Sequence, residues 1–512
     1  MNTRTHSATA TKAAPAGADH HELVIIGAGF SGIGVAIKLK QAGFDDFVIL
    51  DDADGPGGTW HWNTYPGIAV DIPSFSYQFS FEQRRSWSRS YAPGAELKAY
   101  ADRCVAKYGL APHLRSATTV SAADWDADAG RWRLTTAQDA VVTARYVINA
   151  TGILTRPNKP DIPGVEDFAG VLMHTARWEH TQDLRGKNVG IIGTGASAVQ
   201  VIPAIAPDVA HLTVFQRTPI WCLPKPDFVL SAPLRWALRH IPGTQTVARL
   251  VSQLFVEATF PVPAHYDGIL HARPLIEKAA LAYLKSQVHD LNVRDGLTPR
   301  YGLGCKRPSF HNSYLATFNR DNVRLQTSPI AKIGPHAVHT DDGSAHELDV
   351  LILATGFKVM DPENMPTYTL RGVGGLDLTD WWTKHRLQAY EGVSVPGFPN
   401  YFTIFGPYGY NGSSYFALIE AQTAHVLRVL KHARKVQANR IEVTREANDR
   451  FFREMLSRRH NQIFWQNSCA SSNSYFDENG DVPLRPTTTL ESGQSAVGGS
   501  QTFRGRAGCR RL

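Results

Sequence analysis

The sequence predicts an α/β fold in which two doubly wound parallel sheets are combined with a helical insertion. Three observations support this prediction. A strand, a glycine-rich turn, a helix and a second strand follow one another twice, with turns that begin at Gly27 and Gly193. Between residues 224 and 300 the apolar residues recur at helical spacing. The length of 512 residues is enough for roughly three or four domains.

The first repeated unit opens with the apolar strand 23–26, and a helix that ends at Gly43 leads into the strand 47–50. The second unit has equivalent strands at 189–192 and 212–215. Such units open a Rossmann-like domain, whose glycines let the backbone approach a pyrophosphate at the N-terminus of the helix. The residues that we predict at the two turns are Gly27, Gly29 and Gly32 in the first unit and Gly193, Gly195 and Ser197 in the second.

The residue near the end of each second strand predicts which dinucleotide binds. Asp51 and Arg217 stand at the same offset from the first glycine of their units. A carboxylate accepts hydrogen bonds from a free ribose 2′-hydroxyl, whereas a guanidinium pairs with a 2′-phosphate. We therefore predict FAD in the first unit, with NAD as the weaker alternative, and NADPH in the second.

The composition argues against several other classes of protein. Apolar residues make up 43% and charged residues 19% of the chain, as in an ordinary globular enzyme. Much of the net charge of +7 lies in the two ends, so we predict no nucleic-acid partner. No apolar run is long enough for an integral membrane segment and the first residues lack an apolar signal region, which predicts a cytoplasmic location. The five cysteines are widely spaced, which indicates neither a disulfide framework nor a metal site.

Two Ala-Thr-Gly triplets, at 150–152 and 354–356, resemble those that two-dinucleotide flavoproteins carry where the chain passes between domains. Their order predicts that the NADP-binding domain is inserted into the FAD-binding domain. The division that we predict is a disordered tail at 1–20, the first part of the FAD-binding domain at 21–155, the NADP-binding domain at 156–330 with a helical insertion at about 224–300, the second part of the FAD-binding domain at 331–491, and a disordered basic tail at 492–512.

Three longer strings share the spacing of a known family. The first runs from the Gly-Gly-Thr-Trp sequence at 57–60 to Asp71, and the second is Phe168, Gly170, His174 and Trp178 at the spacing F-x-G-x-x-x-H-x-x-x-W. The third is the Gly-Cys-Lys-Arg-Pro sequence at 304–308. On these strings the chain resembles the type I Baeyer–Villiger monooxygenases, which are class B flavoprotein monooxygenases, over roughly residues 21–490.

The resemblance implies roles for particular residues. Arg307 is expected to reach the flavin and the nicotinamide, Asp71 to hold and orient that arginine, and Lys306 to help bind the 2′-phosphate. His174 is expected to couple the domains through the linker between them, with no role as an acid or base. Together with the turn residues above, the predicted cofactor-binding set includes Asp51, Gly58, Thr59, Trp60 and Tyr65 for FAD, and Arg217, Thr218 and Lys306 for NADPH.

The resemblance also implies an activity. Members of the family use FAD, NADPH and molecular oxygen to convert a ketone to an ester or lactone through a C4a-peroxyflavin, and the fixed charge of Arg307 suits that anion. We expect a small lipophilic ketone as the substrate. Oxygenation of sulfur or nitrogen in a heteroatom substrate by the same cofactors stays open, as does a degenerate NADPH-binding sensor without turnover. A flavin disulfide reductase needs a redox-active cysteine pair, which the sequence does not indicate.

Overall fold

The computed structural model describes residues 19–271, 273–359, 361–466, 469, 476–498, 503–506 and 510–511.

The first repeated unit lies in a mixed sheet. The strand order in this sheet is β17 (Thr369–Arg371), β4 (Val120–Asp126), β5 (Arg131–Thr136), β6 (Val141–Asn149), β1 (Asp19–Ile26), β2 (Phe47–Leu50) and β3 (Leu114–Arg115), and β18 (Tyr401–Thr403) pairs with β6. Strand β1 is parallel to both β2 and β6. The predicted strands 23–26 and 47–50 are buried, as expected for parallel strands covered on both faces.

The second repeated unit lies in a parallel sheet. Its order is β12 (Val323–Gln326), β9 (His211–Phe215), β8 (Asn188–Ile192), β16 (Val350–Leu353) and β7 (Val171–His174). The strands predicted at 189–192 and 212–215 are therefore confirmed. A three-stranded antiparallel sheet packs its apolar side chains against this sheet and consists of β13 (Ile330–Ile333), β14 (Ala337–Thr340) and β15 (Ala345–Glu347).

The remaining strands form two small sheets, and helices cover both main sheets. The small sheets are β10 (Cys222–Leu223) with β11 (Ser309–Phe310), and β19 (Arg440–Val443) with β20 (Phe503–Arg506) and β21 (Arg510–Arg511). The helices outside the insertion are α1 (Phe30–Gln41), α2 (Thr59–Trp62), α3 (Gly94–Lys107), α4 (Ala196–Ile205), α11 (Tyr314–Thr317), α12 (Leu378–His385), α13 (Tyr415–Lys435), α14 (Arg445–Ser457) and α15 (Thr489–Gly498).

The predicted insertion is helical. It contains α5 (Ala232–His240), α6 (Thr244–Thr259), α7 (Pro261–His265), α8 (Asp267–Leu270), α9 (Arg273–Gln287) and α10 (Leu291–Gly296). Helix α5 begins where the sequence offers an N-cap, because the Ser231 hydroxyl accepts a hydrogen bond from the Leu234 backbone N–H and Pro233 occupies the first turn. Asp290 caps α10 in the same way.

The structure differs from the prediction at one boundary and at the chain ends. Strand β16 belongs to the second sheet, so the chain returns to the first domain after about residue 355 instead of 330. The predicted disordered tail 492–512 includes the end of α15 and the strands β20 and β21, because β19 offers an open edge with which β20 pairs. The predicted tail 1–20 lies outside the described residues except for Asp19 and His20, which begin β1.

Candidate active site

The two glycine-rich turns have the same backbone arrangement. Gly27 follows β1 with a φ of 109°, and Gly193 follows β8 with a φ of 113°. A Cβ atom at either position would lie 2.5 Å from a carbonyl oxygen, that of Ala150 for Gly27 and that of Ala354 for Gly193. Each Ala-Thr-Gly triplet therefore packs against the first glycine of the neighbouring turn, where only glycine fits.

The loop after β2 completes the first turn. A Cβ atom on Gly32 would collide with the Gly27 carbonyl oxygen, and one on Gly58 would lie 2.9 Å from the Cα atom of Gly29. The Gly57 N–H donates a hydrogen bond to the Ala28 carbonyl at 2.9 Å. The glycines of the first turn and those of the loop after β2 thus form one surface without side chains at the start of α1. Such a surface fits the close approach of a pyrophosphate.

Side chains around this turn are held by hydrogen bonds to other side chains or to backbone N–H groups. Thr59 opens α2, and the indole N–H of Trp60 donates to the Tyr77 hydroxyl at 3.1 Å. Asp51 follows β2 and is buried, and its carboxylate accepts hydrogen bonds from the backbone N–H groups of Ala28 and Ala53. Burial raises the pKa of Asp51 to about 6, although the two backbone hydrogen bonds oppose this shift. The structure therefore places the predicted ribose-binding carboxylate directly beside the first turn.

The second turn leaves open space at the start of α4. Gly195 is the N-cap residue of this helix, and a Cβ atom on it would meet no atom within 4 Å. Ser197 lies in the first turn of the helix, and the Thr194 hydroxyl donates to the Thr218 carbonyl at 2.8 Å. Free backbone N–H groups and the positive end of the helix dipole face this space, an arrangement that fits an anion.

Two cations lie together beyond this turn. Arg217 follows β9 and is exposed. Lys306 lies close enough to Arg217 for their positive charges to repel each other. Burial, and secondly the charge of Arg217, lower the pKa of Lys306. Within the described part of the chain, neither side chain forms an ion pair with a carboxylate. Neighbouring cations of this kind fit the 2′-phosphate of NADPH.

Arg307 and Asp71 form an ion pair, as the resemblance implies. The Arg307 Nε and Nη2 atoms lie 2.9 and 2.8 Å from Asp71 Oδ2. Burial acts to raise the pKa of Asp71, but the Arg307 guanidinium, helped by Lys225, holds it below the usual range. The two side chains keep 33% and 38% of their surface exposed, so the pair can be reached by a bound molecule.

A cavity of about 420 Å³, counting its open mouth, lies over this ion pair. Asp71 and Arg307 are the charged groups in its wall. The other lining residues are Ile72, Pro73, Tyr91, Phe255, Val256, Thr259, Phe260, Pro308, Phe310 and Gly412, so most of the wall is apolar. The insertion supplies part of this wall through α6 and Phe260.

Sequence reasoning missed three residues around the ion pair. The Lys225 ammonium is buried and donates to the Val70 carbonyl at 2.9 Å, directly before Asp71. The Tyr410 hydroxyl accepts a hydrogen bond from Arg307 Nη1 at 3.4 Å, and the Phe260 ring lies 5.4 Å from the guanidinium. Tyr410 closely follows the Gly-Pro pair at 406–407, a local signal that could have indicated it, whereas Lys225 and Phe260 reach the site only through folding.

The fingerprint string packs against the connection between the domains. Gly170 is required because a Cβ atom there would lie 2.5 Å from the Asp349 carbonyl oxygen. His174 ends β7, its Nδ1 accepts a hydrogen bond from the Ala176 N–H at 3.0 Å, and its ring lies 6.2 Å from that of Phe357. Burial lowers the pKa of His174. A neutral imidazole at this position agrees with a structural role at the linker.

Tyr65 lies at the contact between the two domains. Its hydroxyl donates to Gln200 Oε1 at 3.1 Å, and Gln200 Nε2 donates to the Ala69 carbonyl at 2.8 Å. Burial raises the pKa of Tyr65 to about 12. The ring packs in the core of the second domain. Tyr65 therefore joins the domains, and its predicted contact with FAD stays a prediction.

The cysteine spacing indicates no disulfide framework, but Cys305 and Cys469, which are 164 residues apart, form a disulfide. Such a distant pair has no spacing signal in the sequence. The bond ties the segment that carries Lys306 and Arg307 to Cys469. Cys104 and Cys222 are buried free thiols, whereas Cys509 lies outside the described residues.

The residues that the structure describes contain no group of three or more His, Cys, Asp or Glu side chains placed to hold a metal ion. They also contain no helix that is long and apolar enough to cross a membrane.

Two glycine-rich turns of the same geometry, one beside a carboxylate and the other beside two cations, together with an arginine–carboxylate pair that faces a cavity, are typical of a flavoprotein that uses a pyridine nucleotide. A family model described as pyridine nucleotide-disulphide oxidoreductase matches residues 24–241. A Baeyer–Villiger monooxygenase of Pseudomonas aeruginosa is 36% identical over 461 residues, which are 90% of this chain and 86% of that protein.

Two solved structures are similar to this protein over nearly the whole chain. Cyclohexanone monooxygenase from Rhodococcus sp. Phi1 bound to NADP+ has a TM-score of 0.85 and 29% identity, with 97% of this chain and 100% of that chain covered. OTEMO in complex with FAD and NADP has a TM-score of 0.83 and 27% identity, with 94% and 97% covered. The chain belongs to the Baeyer–Villiger monooxygenase family. It is an FAD-containing, NADPH-dependent monooxygenase, as its motifs predict.

Proposed function

We propose that the protein oxidises a small lipophilic ketone to an ester or lactone in the cytoplasm, where NADPH is available. One oxygen atom of O2 enters between the carbonyl carbon and its neighbour, and the other leaves as water with two electrons from NADPH. The observation that supports this proposal is the Arg307–Asp71 pair in the wall of a largely apolar cavity. Bound FAD would accept the hydride of NADPH and activate oxygen.

Arg307 supplies a permanent positive charge. A guanidinium does not deprotonate at any working pH, so it stabilises negative charge on the transferred oxygen without giving up a proton. A group with a pKa near neutrality would donate a proton and favour oxygenation of sulfur or nitrogen instead. The arginine therefore suits attack on a ketone.

Asp71 positions the arginine. Both Nε and Nη2 of Arg307 are held by one carboxylate oxygen, which leaves Nη1 directed toward the Tyr410 hydroxyl. Lys225 adds a second positive charge near Asp71, which keeps that carboxylate ionised. The carboxylate thus orients the guanidinium and balances its charge at a partly buried site.

The apolar wall selects the substrate and limits water. Phe255, Val256 and Phe260 of the insertion line the cavity together with Ile72 and Pro73 of the first domain. Most of the wall is apolar, so a lipophilic molecule with one carbonyl group fits best. Exclusion of water also strengthens the effect of the Arg307 charge.

The proposal is tested with the variant Arg307→Ala and product analysis on cyclic ketones and a thioether. We expect the variant to keep FAD and to oxidise NADPH, while ester formation falls by about a hundredfold or more, as for other removed oxyanion stabilisers. Arg300→Ala is the matched control, because Arg300 forms an exposed pair with Asp295 at 3.0 Å.

Three results would contradict the proposal. Ester formation that survives in Arg307→Ala would exclude the role of the arginine. A wild-type protein that forms sulfoxide from the thioether but no ester from any ketone would establish the heteroatom reaction. A protein that binds NADPH without any turnover would be a sensor.

A further inference from the structure

The helices α5 and α6 expose an apolar surface. We define their outer face by Trp236, Val247, Leu250, Val251 and Leu254, each of which keeps 59% to 61% of its surface exposed. The four aliphatic residues of α6 have the spacing of one helix face. Single exposed apolar residues are ordinary, but a contiguous group of this kind marks an interaction surface.

The opposite side of α6 faces the protein and carries most of the helix's polar residues, beside the buried Val256. Arg249 donates to the Gln78 carbonyl at 2.7 Å, and the Ser252 hydroxyl donates to that of Ser76 at 2.8 Å. A helix on the surface of a globular domain normally buries its apolar stripe and exposes its polar residues. Helix α6 has the reverse orientation, and the hydrogen bonds of Arg249 and Ser252 stabilise it.

The rim of the outer face is basic. Arg235, Arg239 and His240 are exposed on α5, and Arg85 lies beside them because its Nη1 donates to the Arg239 carbonyl at 3.2 Å. Residues 231–260 contain one acidic residue, Glu257, whose carboxylate is bonded to Ser413 and Thr489. Within the described chain, no carboxylate forms an ion pair with these three arginines.

The outer face adjoins the cavity of the candidate active site. Phe255 follows Leu254, keeps 37% of its surface exposed, and also lines the cavity. Val256 and Thr259, in the next turn of α6, belong to the cavity wall as well. One helix therefore separates the exposed apolar surface from the space over Arg307.

We propose that the outer face of α5 and α6 binds a membrane surface that contains anionic phospholipids. The aliphatic residues enter the acyl chains, Trp236 takes the position that indoles prefer at the interface, and the arginines pair with lipid phosphates. A second copy of the chain suits this face less well, because a two-fold contact would bring the same arginines together. Where the proposed function holds, this docking brings the cavity wall to a store of lipophilic substrate.

The test is flotation of the FAD-loaded enzyme with vesicles of phosphatidylcholine alone or with one quarter phosphatidylglycerol. We expect binding to the anionic vesicles that weakens at high salt. The variant Leu250→Asp with Leu254→Asp should lose it. Arg235→Gln with Arg239→Gln should bind about thirtyfold more weakly, given about 1 kcal/mol for each of the two basic residues. Leu291→Asp is the control, because Leu291 is 71% exposed on another helix.

Flavin content and NADPH oxidation of each variant confirm that it is folded. The altered leucines project outward and do not line the cavity, so these readouts should not change, and they are independent of whether the product is an ester. Wild-type protein that does not float with anionic vesicles would overturn the proposal. Equal flotation of the Leu250→Asp, Leu254→Asp variant would overturn it too. A dimer in light scattering that these substitutions dissociate, without vesicle binding, would assign the face to a second copy.

Discussion

At the scale of single residues, the negative charge of Asp71 is what orients Arg307. In Asp71→Asn the amide oxygen still accepts a hydrogen bond, but the negative charge that orients Arg307 is lost. A hydrogen bond between charged groups contributes about 1.5–3 kcal/mol, so we expect roughly tenfold to a hundredfold less ester per NADPH consumed. Product and NADPH are measured in the same assay. Asp295→Asn, in the exposed pair with Arg300, is the control, and an equal loss there would contradict this role.

A second prediction concerns the charge of Lys306. Burial and the neighbouring Arg217 lower its pKa below the ordinary lysine value of 10.5. The protonated ammonium is the form that pairs with a 2′-phosphate, so the affinity for NADPH should fall as the pH rises toward 10.5. We expect KM for NADPH to rise over this range while KM for NADH, which has no 2′-phosphate, stays level. Lys306→Met should remove the difference in slope, and an unchanged slope would contradict the assignment.

At the scale of the elements, substitutions at two glycines of one turn should distinguish an effect on folding from an effect on binding. Gly193→Ala places a methyl group against the Ala354 carbonyl at a φ of 113°, so we expect a loss of several kcal/mol of stability. Gly195→Ala places it in open space at a φ of −73°, which alanine adopts freely. That variant should keep its Tm but bind NADPH about tenfold more weakly, a loss near 1.4 kcal/mol. Calorimetry and NADPH titration measure the two effects, and the opposite pattern would be inconsistent with this turn as the phosphate site.

The elements that could be predicted from the sequence are those with local signals. The strands and turns around Gly27 and Gly193 follow from a short pattern of apolar residues and glycines, and the insertion follows from helical spacing. The Arg307–Asp71 pair came from the family resemblance, since 236 residues separate its members. Lys225, Phe260 and the Cys305–Cys469 bond could not be predicted, because each contact depends on how distant segments pack. The paired strand β20 was missed because a glycine-rich composition does not show that an open sheet edge is available.

At the scale of the whole molecule, Gln200 connects the two domains. Its side chain accepts hydrogen bonds from the Tyr65 hydroxyl and the Ala69 N–H and donates one to the Ala69 carbonyl, all in the loop that leads to Asp71. Gln200→Leu removes these three hydrogen bonds at similar volume. We expect FAD and NADPH to bind as before, while anaerobic flavin reduction by NADPH slows about tenfold, because the relative position of the domains is less well defined. Stopped-flow absorbance measures the rate, and Tyr65→Phe should have a smaller effect in the same direction. An unchanged rate in Gln200→Leu would show that this contact does not align the domains.

The reaction that we propose inserts one oxygen atom of O2 into a ketone and consumes NADPH. The most direct measurement is turnover of a cyclic ketone under 18O2, with mass spectrometry of the product and a parallel count of NADPH consumed. We expect one labelled oxygen atom in each lactone molecule, in the ring position, and one NADPH oxidised for each lactone formed. Hydrogen peroxide as the main product, or label found only in an oxygenated heteroatom substrate, would contradict it.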